Sequence, residues 1–518
     1  MRKPLGKLTL LTFMLASCSI TTSRTIVKKP DGVMVFSPQL NLINDDFDGL
    51  GVEWGAYEDT NKLQSNAWER ITKYADHLEG MSLVRCMVNF DWFCENLDTK
   101  GDEDKTNDTW TYNFTNKWMK STEQVLSYCQ QHDLIVAFGA WNVIGSFPEE
   151  SDPWKMMDDV TSDPRWAKMA ADTLEYLVLK KGFTCIKYFV NSNEPNYLGR
   201  INSSKNARNT FAKWRQGVLN VKAALEKAGL GHIKIVGSDA TATSDGSMDE
   251  YLYGIAKDEA LKNAVGDYGI HVYPYKEPLD DGTMLDQYAE RVKQIKEYDP
   301  DFGKTRKMHI WEAGLQDGKN YAFDCQELID TYNYAKAMAN YTLTALASGI
   351  NGIAFWDFDD GMHFMYNADG SATAKEWGMF STLGSASALK QQLRPWYHSS
   401  SLLINLLRRH NIIFDSGENG AKVNPTLRSL ATISNDRNTA GVLFSNTDFI
   451  EAKTVKFVMD EKYNNDEKLY VYIFNEKSTL IGEDGFIIPN YEVEGSLNKI
   501  NEITIPASSF VVISNKVL

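Results

Sequence analysis

Histidine and cysteine, which build metal centres and disulfide frameworks, are scarce: 518 residues hold eight and six of them. No CxxC pair or clustered His/Cys spacing occurs, so no structural zinc is expected, nor any other metal or organic cofactor. Beyond Cys18 the cysteines are Cys86, Cys94, Cys129, Cys185 and Cys325, an odd set that cannot all pair. Cys86 and Cys185 fall inside apolar runs, where a buried thiol acts as a small hydrophobe. Positive charge is also short. Lys and Arg number 54 against 69 Asp and Glu, a net charge of −15, and no dense basic patch awaits a phosphate backbone. That excludes nucleic acid as a partner; an acidic surface keeps the chain soluble and suits an uncharged ligand such as a glycan.

Long apolar runs are missing as well. The one near the N-terminus, Leu8 to Leu15, follows Arg2, Lys3 and Lys7 and is too short to span a bilayer. It leads into Leu15-Ala16-Ser17-Cys18. This stretch resembles a bacterial lipoprotein signal. The resemblance implies that residues 1–18 are an address, that Cys18 is lipidated, and that the chain sits in the cell envelope, at the outer membrane. Acyl chains would be its sole membrane contact. A plain secretory peptide that contains Cys18 is the alternative. Residues 19–44 read as a tether followed, at Val33–Phe36, by a strand for a later β-domain. Ser19-Ile20-Thr21-Thr22 carries no acidic residue, which leaves periplasmic facing as open as surface facing.

The rest is ordinary globular material, 43% hydrophobic and 24% charged, and long enough for one large domain and a smaller one. Between residues 45 and 400, short β-type runs alternate with helix-period stretches eight times. Strands are expected at Gly51–Tyr57, Leu83–Phe90, Leu134–Trp141, Ile186–Asn193, Ile233–Asp239, Tyr268–Tyr273, Met308–Glu312 and Gly352–Asp357. Mostly apolar runs of this length suit parallel strands covered on both faces. The clearest helix carries Phe211, Trp214, Val218, Val221 and Leu225 on one face and stops at Gly229. Eight such units predict a (β/α)8 barrel, with its long loops after strands 2 (91–115), 3 (142–162) and 8 (358–395). A doubly wound sheet would need a Gly-rich phosphate turn after its first strand. Here Gly49-Leu50-Gly51-Val52 comes before it. Residues 401–518 turn to β patterning, with Val455/Phe457, Leu469–Phe474 and Phe510–Ile513 as strands of a small sandwich.

Acidic residues are too common for a bare pair of them to mean anything; position decides. Glu194 closes strand 4 in Asn191-Ser192-Asn193-Glu194-Pro195, and Glu312 closes strand 7 in His309-Ile310-Trp311-Glu312-Ala313. Both therefore face the rim that carries active sites in barrels. An arginine at Arg85, inside strand 2, is costly unless it is paired, and so is expected beside a carboxylate.

With these residues the chain is similar to clan A glycoside hydrolases, retaining barrel enzymes with catalytic glutamates on strands 4 and 7. The resemblance implies Glu194 as general acid/base and Glu312 as nucleophile, acting on a β-linked oligo- or polysaccharide. It also implies that Asn193 holds the sugar 2-hydroxyl and that Arg85 and Tyr273 hydrogen-bond the nucleophile. Trp356 would then floor the sugar subsite. His271, Trp141 and Glu53 join as further sugar contacts, with Asp91, Asn142, Asp357, Asp359 and His363 near strand ends. The opening Asp48-Gly49-Leu50-Gly51-Val52-Glu53-Trp54 and the closing Ile505-Pro506-Ala507-Ser508-Ser509-Phe510 resemble family 30 and 39 enzymes. Asn-Glu-Pro is equally at home in family 5. Retention requires carboxyls about 5–5.5 Å apart, and Arg85 is expected to lower the pKa of Glu312. Two other readings use the same residues: a glycan-binding lipoprotein without turnover, and a transglycosidase. Neither the sugar, the linkage nor the oligomeric state is written in these motifs.

Overall fold

The computed structural model describes residues 32–56, 67–95, 110–141, 162, 164–197, 211–242, 246–360, 364–366, 372–380, 393–417, 426–464 and 467–518. Cys18, Asn142 and His363, and most of the loops expected after strands 2, 3 and 8, lie outside these residues.

Eight parallel strands form the barrel expected from the sequence: β1 Gly49–Glu53, β2 Leu83–Val88, β3 Ile135–Ala140, β4 Ile186–Val190, a divided β5, β6 Asp267–Val272, β7 Lys307–Ala313 and β8 Gly352–Phe355. Inward and outward residues alternate. On β2, Val84, Cys86 and Val88 face the helix layer, whereas Leu83 and Met87 meet Ala137, Val190, Val236, Trp311 and Ala354 inside the barrel. Arg85 belongs to that inward row and is fully buried.

Strand β5 departs from the single run expected. It consists of Lys234–Ile235, paired with β4, and Ser238–Thr241, paired with β6, so one kinked segment closes the ring. Gly237 sets the kink. A Cβ there would stand 2.0 Å from the Asp267 carbonyl oxygen, and its N–H donates to Asp267 Oδ1 at 2.8 Å. Ser238 and Asp239 follow with φ of 88° and 53°, a left-handed backbone rarely adopted by residues other than glycine.

A helix follows each strand: α1 Ala67–His77, α2 Lys117–Gln131, α3 Pro164–Leu174, α4 Phe211–Lys227, α5 Ser247–Lys257, α6 Thr283–Tyr298, α7 Tyr332–Ala347 and α8 Pro395–Leu406. The face read from the sequence of α4 is the face it buries, through Trp214, Val218, Val221 and Leu225. Side-chain caps start α2 and α7, where Asn116 accepts from Met119 N–H and Thr331 from Tyr334 N–H. No helix among the described residues is long and apolar enough to cross a membrane.

The C-terminal strands build a seven-stranded sheet, to which Leu42–Asn44 adds an edge strand, and a three-stranded sheet. Val33–Phe36 enters the smaller one, parallel to Lys453–Met459. Strands of the larger sheet are apolar on both faces because both are covered. Phe510, Val512 and Tyr472 join the barrel's hydrophobic core, while Val511, Ile513 and Val471 pack inside the sandwich.

Candidate active site

Sheet register brings the charged residues together before any loop contributes. Glu53 lies opposite Arg85 across β1 and β2, and His271 lies opposite Glu312 across β6 and β7. Arg85 Nη1 donates to Glu53 Oε2 at 2.8 Å and Glu312 Oε1 at 2.7 Å; Nη2 donates to Asn193 Oδ1 and Asp239 Oδ2, both at 2.8 Å. The other oxygen of Glu312 accepts from Tyr273 O–H at 2.8 Å. His271 completes the web: its Nδ1 is 3.1 Å from Glu194 Oε1 and 3.3 Å from Glu312 Oε2, and its Nε2 is 2.9 Å from Asp239 Oδ1.

The two glutamates are presented differently. Glu312 is the penultimate residue of β7, and its side chain is 6% exposed. Glu194 lies four residues beyond the end of β4, in a turn with φ of 43°, and its side chain is 20% exposed. A non-glycine residue in this region costs on the order of 1–3 kcal/mol and is concentrated at functional sites. The turn is held by Glu194 N–H to Asp239 C=O at 3.1 Å and by Tyr197 N–H to Glu194 C=O at 2.9 Å. One oxygen of each carboxylate and a ring nitrogen of His271 lie within 4.8 Å of one another.

Burial dominates the protonation of the web. It pushes Glu53 up to about 8 against the pull of Arg85, with Glu312 adding to the rise. It also raises Glu312, although His271 and Arg85 pull down; the net effect is the reverse of the lowering expected from Arg85 alone. Burial disfavours charge on Asp239 too, yet Arg85 and His271 together hold it below the usual carboxylate range. His271 is desolvated, but Asp239 and Glu312 hold it as a cation, up to about 10. At neutral pH, then, two buried cations face Asp239 and Glu312 while Glu53 stays neutral. The Glu194–His271–Glu312 trio is close enough to share a metal ion. With its proton on, His271 hydrogen-bonds the two carboxylates, and a metal would have to displace that proton to bind.

Trp356 follows β8 directly and meets Trp141 edge-on at 5.7 Å; Trp141 also stacks 5.2 Å from the Arg85 guanidinium. Among the residues expected to contact sugar, Asn193, Tyr273, Trp141 and Trp356 gather around the glutamates. Glu53, Arg85 and His271 are fully buried behind them. Asp357 and Asp359 are buried beyond β8, and Asp91 falls in the turn Phe90–Phe93. Sequence reasoning misses Asp239. It ends a strand run there, and only the left-handed kink turns it inward.

No family model matches the sequence, and no curated protein matches it. Solved structures match the fold over nearly the whole chain. A family 51 α-L-arabinofuranosidase from Bifidobacterium longum superposes with a TM-score of 0.60 at 12% identity, covering 94% of this chain and 99% of its own. A glucosidase from Croceicoccus marinus gives 0.57 at 13% identity, over 93% and 98%. A GH30 endoxylanase from Clostridium papyrosolvens gives 0.55 at 14% identity, over 93% and 98%. These glycoside hydrolases share the architecture of this chain, barrel and β-domain together.

Proposed function

We propose that the chain is a retaining glycoside hydrolase of the clan A type, acting on a β-linked oligo- or polysaccharide. One observation carries the reading. A glutamate just after strand 4 and one at the end of strand 7 point into one site with carboxylate oxygens within 4.8 Å, close to the separation of about 5–5.5 Å used for double displacement. In the first step a Glu312 oxygen attacks the anomeric carbon as the glycosidic C–O bond breaks. The proton of Glu194 passes to the leaving oxygen. In the second, Glu194 takes a proton from water, whose oxygen attacks the same carbon and releases Glu312. Tyr273 and Arg85 hold the two oxygens of Glu312 in place, and the more open Glu194 reaches the leaving group. No cofactor takes part.

The test is a screen of aryl β-glycosides and plant and host polysaccharides with wild type, Glu312→Gln and Glu194→Ala. Activity that survives in Glu312→Gln sinks the assignment. Recovery of Glu194→Ala by azide, giving a β-glycosyl azide, supports it. We further propose that lipidated Cys18 anchors the protein in the bacterial envelope; Cys18→Ser should then leave the membrane fraction.

A further inference from the structure

The two glutamates divide the rim of the barrel into two flanks. Trp141 and Trp356, after β3 and β8, lie on one. On the other, the loops after β4, β6 and β7 carry Tyr197, Tyr275 and Tyr321, which are 42%, 58% and 67% exposed. The loops after β6 and β7 are tied together. Gln316 N–H donates to Pro274 C=O at 3.0 Å, Lys276 N–H to Asp317 Oδ2 at 2.5 Å, and Tyr321 O–H to Gln316 Oε1 at 2.5 Å. Exposed rings fixed beside a catalytic pair offer stacking faces for sugar.

At the base of this flank stands Lys319, in the hairpin of Lys319–Asn320 and Cys325–Gln326. Its ammonium lies 5.0 Å from the Tyr321 ring, 5.5 Å from Tyr273 and 5.6 Å from Trp377. Tyr273 is the residue that holds Glu312. The hairpin's own acids are engaged elsewhere: Asp317 with Lys276 N–H, Asp324 with Lys375 at 2.8 Å, Glu327 with Asn320 at 2.7 Å. Among the described residues Lys319 is thus a half-buried cation with no carboxylate partner and no hydrogen-bond acceptor. Aromatic faces surround its ammonium, but no oxygen among the described residues accepts from it.

We propose that this flank is a second sugar subsite in which Lys319 takes an anionic substituent, a uronate carboxylate or a sulfate ester, so that the substrate is an acidic glycan. This rests on the glycan-cleaving reading above. The chain's overall charge of −15 opposes an anion at long range. Screening over about 8 Å at physiological salt leaves the nearest cation in control once the ligand is in the site.

The test is binding to the Glu312→Gln protein, followed by calorimetry. The probes are uronate oligosaccharides, the same oligosaccharides with carboxyls reduced to alcohols, and sulfated neutral oligosaccharides. Lys319→Met and Lys319→Arg are each compared in that background. The expected result is a preference of about tenfold for one anionic probe over its neutral counterpart, from one charge-assisted hydrogen bond. Which probe is preferred distinguishes carboxylate from sulfate. Lys319→Met should bring the anionic probes down to the binding of the neutral one, and Lys319→Arg should keep the preference. Equal binding of all three probes, or a preference that survives Lys319→Met, overturns the proposal. Turnover that survives in Glu312→Gln refutes the hydrolase reading alone, and leaves the Lys319 result to be read by itself.

Discussion

Glu53 and Glu312 accept from the same nitrogen: Arg85 Nη1 is 2.8 Å from one carboxylate and 2.7 Å from the other. One guanidinium therefore joins a fully buried acid to the residue proposed as nucleophile. The two acids do not carry equal charge. Burial pushes Glu53 to about 8, so at neutral pH it is a neutral group that positions Arg85. Substitutions at Arg85 and at Glu53 should therefore differ sharply in cost.

Replacing Arg85 by Met should be severe. It leaves Asp239 and Glu312 facing one remaining cation, His271, inside a closed barrel. Removing one partner of a buried ion pair costs about 3–5 kcal/mol. Urea unfolding should show a loss of that order, and kcat should fall at least about 100-fold with the lost donor. A stability change under about 1 kcal/mol would mean that the web holds little of the barrel together.

Glu53→Gln should be mild, and its effect should depend on pH. The folded pKa of Glu53, about 8, stands above its ordinary 4.5. The folded state therefore holds the extra proton between those values, and stability drains away as pH rises from about 4.5 to 8. Glutamine keeps the neutral shape and has nothing to lose over that range. Relative to wild type, Glu53→Gln should be more stable at about pH 9 than at about pH 5. Unfolding curves for both proteins at the two pH values measure this, and a difference independent of pH would show that Glu53 is ionised throughout.

His271→Gln tests the cation between the glutamates. His271 is the first of the groups that lower Glu312, ahead of Arg85. Without it the Glu312 pKa rises further, so a larger share is protonated and unable to attack at low pH. The acidic limb of the kcat/KM profile should move to higher pH, with activity lower throughout. An acidic limb left in place would show that Glu312 is controlled by Arg85 alone.

Much of this was legible in the sequence, for a physical reason. Parallel strands buried on both faces give apolar runs that stand out, and counting them puts Glu194 after the fourth and Glu312 on the seventh. Arg85 was legible because a charge inside such a run demands a partner. Asp239 and Lys319 were not. Asp239 enters the site through a left-handed backbone at Ser238 and Asp239, which no periodicity records. Lys319 matters because neighbouring acids are used elsewhere, and that can be known only once the hairpin is folded.

Gly237→Ala separates backbone from chemistry. Its Cβ would lie 2.0 Å from the Asp267 carbonyl oxygen, a backbone atom that cannot rotate away. Strands β5 and β6 must then part, at a cost of about 1–3 kcal/mol or more. Asp239, two residues on, moves with them and slackens its hold on Arg85 and His271. Activity should therefore fall further than the stability loss explains, even at temperatures where the variant is fully folded. Gly229→Ala is the control. Gly229 is also left-handed, at φ 77°, but an added Cβ there meets nothing within 4 Å. It should cost about 1–2 kcal/mol for the backbone alone and leave kcat/KM unchanged. If both variants lose activity only in proportion to their stability, the kink does no more than close the barrel.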